Sequence, residues 1–293
     1  MSNLAEGIII KGIDGFYFVD TQDTILKCKA RGIFRKKGMV PLAGDRVRVS
    51  VNEDDLSMVE EILPRKNSFV RPPIANIDRL LIVASVANPV PNIYNIDKLT
   101  VIAKLMEVEP VIVFTKMDLG DTEPYEEIYR NAGFPVISIN NKSGENIDKL
   151  DQYIGEGITG LAGYSGVGKS SLVRHLIPDS DIVVGEISRK LKRGRQTTRE
   201  STLYKYKNGY ITDTVGFSNL ELYTYRDQLS TNNLQYFFPE FEKYLGECKF
   251  TSCSHTVEKG CKIIEALNDG EIEKTRHENY CKMYQELKSI NVN

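Results

Sequence analysis

Gly163-Tyr-Ser-Gly-Val-Gly-Lys169-Ser170 is a complete G-x-x-x-x-G-K-S run. It lies between an apolar stretch, ITGLAG, and a helical pattern, SSLVRHLI, which is the setting a phosphate-binding loop requires. Glycines let backbone N–H groups curl around a β-phosphate, the lysine neutralises β- and γ-oxygens, and the serine hydroxyl can ligate Mg²⁺. Gly163, Tyr164, Ser165, Gly166, Val167, Gly168, Lys169, Ser170 and Ser171 are therefore the candidate phosphate-site residues, and a purine nucleotide is the expected ligand. A chance glycine-rich turn is the competing reading, and the strand, loop and helix in sequence argue against it.

Such loops serve ATPases, kinases and GTPases alike, so the base must be read elsewhere. Thr115-Lys116-Met117-Asp118 follows the apolar run PVIVF and matches [NT]-K-x-D. A carboxylate at Asp118 can accept both the N1–H and the N2 amino hydrogens of guanine, a pair adenine lacks, while the Lys116 stem can cover the base. Asn140-Asn141-Lys142 follows PVISI and resembles the S-A-K loop that completes a guanine site, with Asn140 where serine is usual. Asp213-Thr-Val-Gly216 fits D-x-x-G, whose aspartate serves the Mg²⁺ shell and whose glycine N–H meets the γ-phosphate. Between them, SRKLKRGRQTTRES places Thr198 (or Thr197) as a switch threonine on Mg²⁺.

The base motifs precede the phosphate loop, whereas in ordinary small GTPases they come last. That order predicts a circularly permuted G domain. Two other classes stay open on the residues alone. A metabolic P-loop ATPase or kinase would lose to T-K-x-D in a GTP-against-ATP competition. A nucleotide-dependent scaffold without turnover is kept alive by Phe217, an apolar residue directly after Gly216.

Cys248-x4-Cys253-x-His255-x5-Cys261 offers three thiolates and an imidazole, a set suited to tetrahedral Zn²⁺. A filled shell of soft ligands reads as structural, with no position open for catalysis. Cys28 and Cys281 read as core residues, and His175 and His277 receive no role.

The elements that must position these groups fall in three segments. Residues 1–68 alternate in period two with no helical stretch, which predicts a small barrel of the oligonucleotide-binding type. Within it Lys27, Lys29, Arg31, Arg35, Lys36 and Lys37 form an acid-free run with Phe34 interleaved, a candidate RNA face. Residues 69–232 alternate strand-like runs with helical ones (YNIDKLTVIAKLM, EPYEEIYRNA, ENIDKLDQYI), as a doubly wound α/β domain does. Residues 233–293 carry the Cys/His cluster and close on a helical stretch spaced by Ile272, Tyr280, Met283 and Leu287.

Composition limits the function classes. Hydrophobic residues at 41% and charged residues at 27% exclude a disordered tail or coiled-coil rod. Lys plus Arg is 38 and Asp plus Glu 40, a net charge of −2, so any nucleic-acid surface must be a local patch. No apolar run approaches the roughly 20 residues of a membrane span. The N-terminal MSNLAEGIII lacks a signal-peptide pattern, and five cysteines with three inside a 14-residue stretch suggest a reduced cytoplasm and a metal site.

A permuted G domain with a β-barrel before it and a Cys/His cluster after it resembles the ribosome small-subunit-dependent GTPase A family. The matching text includes RGIFRKKGMVPLAGDRV, PRKNSFVRPPIANIDRLLIV, VFTKMDL, GYSGVGKSSL, KLKRGRQTTRES, DTVGF, FFPEF and CKFTSCSHTVEKGC. The resemblance implies a cytoplasmic, monomeric factor that binds GTP and GDP, 16S rRNA and the 30S subunit late in subunit maturation. It implies one structural zinc, Mg²⁺ with the nucleotide, and hydrolysis that is weak alone and stimulated by the subunit. Two departures stand out. Val215 replaces the family's usual proline, and Gln196 stands where the family has histidine. Phe217 occupies the position after Gly216 where Ras-like enzymes orient water with glutamine, so Gln196 is the expected helper, alongside Lys169 and Thr198.

Overall fold

The computed structural model describes residues 3–52, 56–177, 201–212, 217 and 220–290. In chain order the strands are β1 (Asn3–Ile13), β2 (Phe16–Asp20), β3 (Ile25–Ala30), β4 (Arg46–Val51), β5 (Ser57–Ile62), β6 (Ser68–Phe69) and β7 (Ile74–Ala75). They continue with β8 (Arg79–Ser85), β9 (Glu109–Thr115), β10 (Val136–Ile139), β11 (Glu156–Ala162), β12 (Leu203–Tyr206) and β13 (Asn208–Thr212). The α-helices are α1 (Gly32–Lys36), α2 (Ile93–Leu105), α3 (Glu123–Asn131), α4 (Asp151–Ile154), α5 (Lys169–Leu176), α6 (Lys262–Asn268) and α7 (Lys274–Ile290). These elements form two compact units, one of residues 1–79, 151–161 and 169–217, the other of 80–150, 162–168 and 218–293.

In the first unit the period-two pattern closes into a barrel of order β1-β2-β3-β5-β4, with β1 pairing β4. Its inward residues Ile9, Val19, Cys28, Val47, Val49 and Val59 are fully buried, while their sequence neighbours Lys27, Lys29 and Arg48 face out. One expectation is corrected here. The barrel contains a helix, α1, and Phe34 on it belongs to the barrel core, only 6% exposed. Five residues are too few to leave a helical period in the sequence, and Phe34 is the apolar side chain that anchors the turn. The aromatic that does meet the basic strand is Phe16, with the ammonium groups of Lys27 and Lys29 at 4.3 and 5.4 Å from its ring centroid. Asp20 at the end of β2 accepts from the Tyr210 hydroxyl at 2.9 Å and lies 3.6 Å from Lys205 Nζ, joining the barrel to the β12–β13 hairpin. In the same unit β13 runs parallel to β11.

In the second unit β9 lies between β8 and β10, parallel to β10 with Ile112 opposite Val136. Helix α2 starts on Asn92, whose side chain accepts from Asn95 N–H at 3.0 Å, and is buried from Asn95 to Ala103. The stretch ENIDKLDQYI forms a 3₁₀ turn (Asp148–Leu150) and the four-residue α4, not the full helix its pattern predicts. Asn146 explains the short helix: at φ 62° it is left-handed, and its side chain donates to Ser138 O at 2.9 Å, holding the entry to the turn. The closing helix begins at Lys274, so Ile272 packs just ahead of it.

Helices α2 and α7 are fastened by a buried ionic cluster. Arg276 Nη1 donates to Asp97 Oδ1 at 2.7 Å and its Nε to Glu240 Oε1 at 2.7 Å, with side-chain exposures of 0, 0 and 4%. Asn279 and Tyr129 also donate to Asp97, at 2.7 and 3.0 Å. Burial alone would lower the Arg276 pKa, but the two carboxylates push it up, so the guanidinium stays charged. No helix among the described residues is long and apolar enough to cross a membrane.

Candidate functional site

Gly163–Gly168 runs from the end of β11 to the start of α5, and its backbone requires glycine at both ends. Gly163 has φ 135°, and a Cβ there would sit 2.0 Å from the carbonyl oxygen of Val83. Gly168 has φ 100°, and a Cβ would sit 2.7 Å from Asn141 Nδ2. Lys169, Ser170 and Ser171 open the first turn of α5, where the helix dipole favours an anion. Tyr164, Ser165 and Ser170 are exposed, whereas Val167 is buried.

The two base loops grip this phosphate loop through consecutive carbonyls. Lys116 Nζ donates to Gly166 O at 3.0 Å, Thr115 Oγ1 to Val167 O at 2.5 Å, and Asn141 Nδ2 to Gly168 O at 3.1 Å. Lys116 also donates to Ala87 O at 3.2 Å and to Asn88 O, so its ammonium holds two loops at once. Thr115 is fully buried at the end of β9, which fixes the backbone from which Asp118 projects. Asp118 stays accessible, with Lys142 Nζ as an exposed partner at 3.7 Å. Asn140 accepts at Oδ1 from Lys142 N at 2.8 Å and Ser143 N at 3.4 Å, an Asx-type turn that shapes the loop where serine is usual.

Phe217 is fully buried, edge-on to Phe69 with ring centroids 5.1 Å apart. An apolar side chain held this way cannot orient water. Gln196, Thr197, Thr198, Asp213, Val215 and Gly216, with the basic run at 189–199, lie outside the described residues.

The second constellation is Cys248, Cys253, His255 and Cys261, whose ligand atoms all lie within 4.8 Å of one another. Tetrahedral zinc with Zn–S of about 2.3 Å and Zn–N of about 2.0–2.1 Å needs S···S near 3.8 Å and S···N near 3.6 Å. Here Cys248 Sγ lies 3.9 Å from Cys261 Sγ, and His255 Nδ1 lies 3.6 and 3.4 Å from those two sulfurs. The donor set fits zinc. Burial raises the thiol pKa of Cys253 and Cys261, a tendency that a bound cation reverses.

Several supporting residues carry no sequence signal. Lys262 N–H donates to Cys248 Sγ at 3.3 Å, and Gln235 Oε1 lies 2.5 Å from His255 Nε2. Glu258 accepts from Ser254 N, Ser254 Oγ, Thr256 N and Val257 N; burial opposes its ionisation, yet these bonds hold its pKa at about 2. His277, given no role from its spacing, is buried and its Nε2 donates to His255 O at 2.8 Å. Tyr280 OH donates to Ser254 O at 2.9 Å, so helix α7 forms one wall of the knuckle.

The RsgA N-terminal domain family matches residues 6–59 and the RsgA GTPase family matches residues 62–223. A protein of Carboxydothermus hydrogenoformans is 42% identical over 97% of this chain and 98% of its own length. One of Ruminiclostridium cellulolyticum is 39% identical over 97% and 94%. Both are named small ribosomal subunit biogenesis GTPase RsgA. The crystal structure of YjeQ from Thermotoga maritima aligns with TM-score 0.83 at 33% identity, over 97% of this chain and 99% of that one. That of YloQ, described as a circularly permuted GTPase, aligns with TM-score 0.82 at 32% identity, over 98% and 96%. A glycine-built loop before α5, held by Thr115 and Lys116 from earlier in the chain, lies with them inside the family match, and that match makes this protein a GTP hydrolase of the RsgA family.

Proposed function

We propose that the protein binds the 30S subunit through 16S rRNA and hydrolyses GTP there as a late step of subunit maturation. The observation that supports the nucleotide part of this reading is the grip of Thr115, Lys116 and Asn141 on the carbonyls of Val167, Gly166 and Gly168. It makes base recognition and phosphate positioning one unit, and the relatives bearing these motifs are named for small-subunit biogenesis. In this reading residues 1–68 are an RNA-binding barrel, 69–232 the permuted hydrolase and 233–293 a zinc-bearing segment, working as a cytoplasmic monomer.

Asp118 reads the guanine edge, Lys169 neutralises phosphate oxygens, and the loop N–H groups hold the β-phosphate. Mg²⁺ bound with GTP supplies charge neutralisation at the transferring phosphoryl group, and Ser170, Thr198 and Asp213 are the residues that would hold it. Because Phe217 is packed on Phe69, the attacking water must be oriented by another group, and Gln196 is the assigned one. The basic 189–199 run would let rRNA contact act on the segment that carries Gln196 and Thr198. Gln196→Ala is expected to bind GTP and 30S subunits normally and to lose a hundredfold or more of the stimulated turnover, while Gln196→His keeps it. Full stimulated turnover in Gln196→Ala would place the helper elsewhere.

Co-sedimentation with 30S subunits tests the docking itself. Binding should fall steeply and log-linearly with salt, as counterion release demands. A salt-independent association, or none, would refute the rRNA contact.

Zinc at the Cys/His cluster is structural in this account. Elemental analysis should find one zinc per chain. Cys253→Ser should lose the metal and loosen residues 233–293 while nucleotide binding persists. Zinc-free protein from an unchelated preparation would contradict it.

A further inference from the structure

His255 can offer a metal only one ring nitrogen at a time, and the other must keep its proton. Nδ1 is the nitrogen that faces the thiols, at 3.4 Å from Cys261 Sγ and 3.6 Å from Cys248 Sγ. Nε2 points the opposite way, onto Gln235 Oε1 at 2.5 Å. Gln235 belongs to the 3₁₀ turn Leu234–Phe237, 20 residues before His255 and outside the ligand loop. An amide oxygen can only accept, so this contact requires the Nε2–H tautomer, which leaves the Nδ1 lone pair free for the metal. The histidine backbone is constrained as well. His255 is left-handed at φ 59°, an unfavourable conformation for a non-glycine residue, and His277 Nε2 holds its carbonyl at 2.8 Å.

We infer that Gln235 is a positioning residue for the metal centre: its side-chain carbonyl fixes the tautomer and ring orientation of His255, so that Nδ1 is the zinc ligand. The inference rests on zinc occupying the Cys248–Cys253–His255–Cys261 set, and the unaltered protein serves as the control for that. Loss of such a partner costs about 10–100-fold in metal affinity.

The test is a zinc competition titration of the full-length protein against a chromophoric chelator, beside Gln235→Leu and Gln235→Glu. Gln235→Leu should bind zinc about 10–100-fold more weakly. Gln235→Glu keeps an acceptor and should stay within a few-fold of the unaltered protein, with GTP binding unchanged in both. In ¹H–¹⁵N spectra of the unaltered zinc form, His255 should show metal-bound Nδ1 and a slowly exchanging Nε2 proton. Equal zinc affinity in Gln235→Leu, or metal on Nε2, would overturn the inference. A failure of the unaltered protein to bind zinc would instead overturn the reading it rests on.

Discussion

Replacing Arg276 with alanine is expected to destabilise the protein by about 3–5 kcal/mol, the cost of leaving a buried charge without its partner. Here two carboxylates would be stranded. Asp97 and Glu240 are 0 and 4% exposed, and each takes a 2.7 Å bond from the guanidinium. Burial already pulls Asp97 towards its neutral form, and Arg276 opposes that pull. Without Arg276, Asp97 retains only Asn279 and Tyr129 as side-chain donors among the described residues. Arg276→Met should be nearly as damaging although it restores volume, because the loss lies in charge compensation and not in packing. Arg276→Lys should recover only part, since one ammonium cannot span both carboxylates with a planar fork. Urea denaturation followed by circular dichroism measures the shift. A change below about 1 kcal/mol for Arg276→Ala would show that the cluster does not hold α2 to α7.

Asp118→Asn is expected to weaken GTP binding by about 2–4 kcal/mol, roughly thirty- to a thousandfold. In the proposed site the carboxylate accepts two guanine hydrogens, and an amide in its place would offer one acceptor and one mismatched donor. The exchange also carries a gain: xanthine has a carbonyl where guanine has its amino group, so the variant should bind xanthosine triphosphate better than the unaltered protein does. Local structure should survive. Asp118 is accessible, Lys142, its ion-pair partner among the described residues, is exposed, and the loop is fixed by Thr115 and Lys116. Nucleotide titration by fluorescence decides it, and unchanged GTP affinity would remove Asp118 from the base site.

The parts of this protein that the sequence discloses are those whose chemistry is local. The phosphate loop, T-K-x-D, Asn140–Lys142 and the cysteine spacing are each set by a few adjacent residues, and the barrel follows from period-two burial. The parts it hides depend on distant partners. Asp97 and Arg276 are 179 residues apart, and neither position stands out in its own helix. Gln235 sits in an aromatic-rich stretch where a polar residue reads as solvated surface. Phe34 misleads because an aromatic among lysines looks like a stacking platform, whereas α1 turns it into the barrel. His277 shows no ligand spacing because its role is to hold the backbone of His255.

The most direct measurement is the initial rate of GTP hydrolysis with and without purified 30S subunits, at matched salt and saturating nucleotide. The account predicts slow turnover by the protein alone and a rise of a hundredfold or more with 30S subunits, the scale that positioning a catalytic group supplies. ATP should give no such rise. An identical GTP rate with and without the subunits would contradict the account.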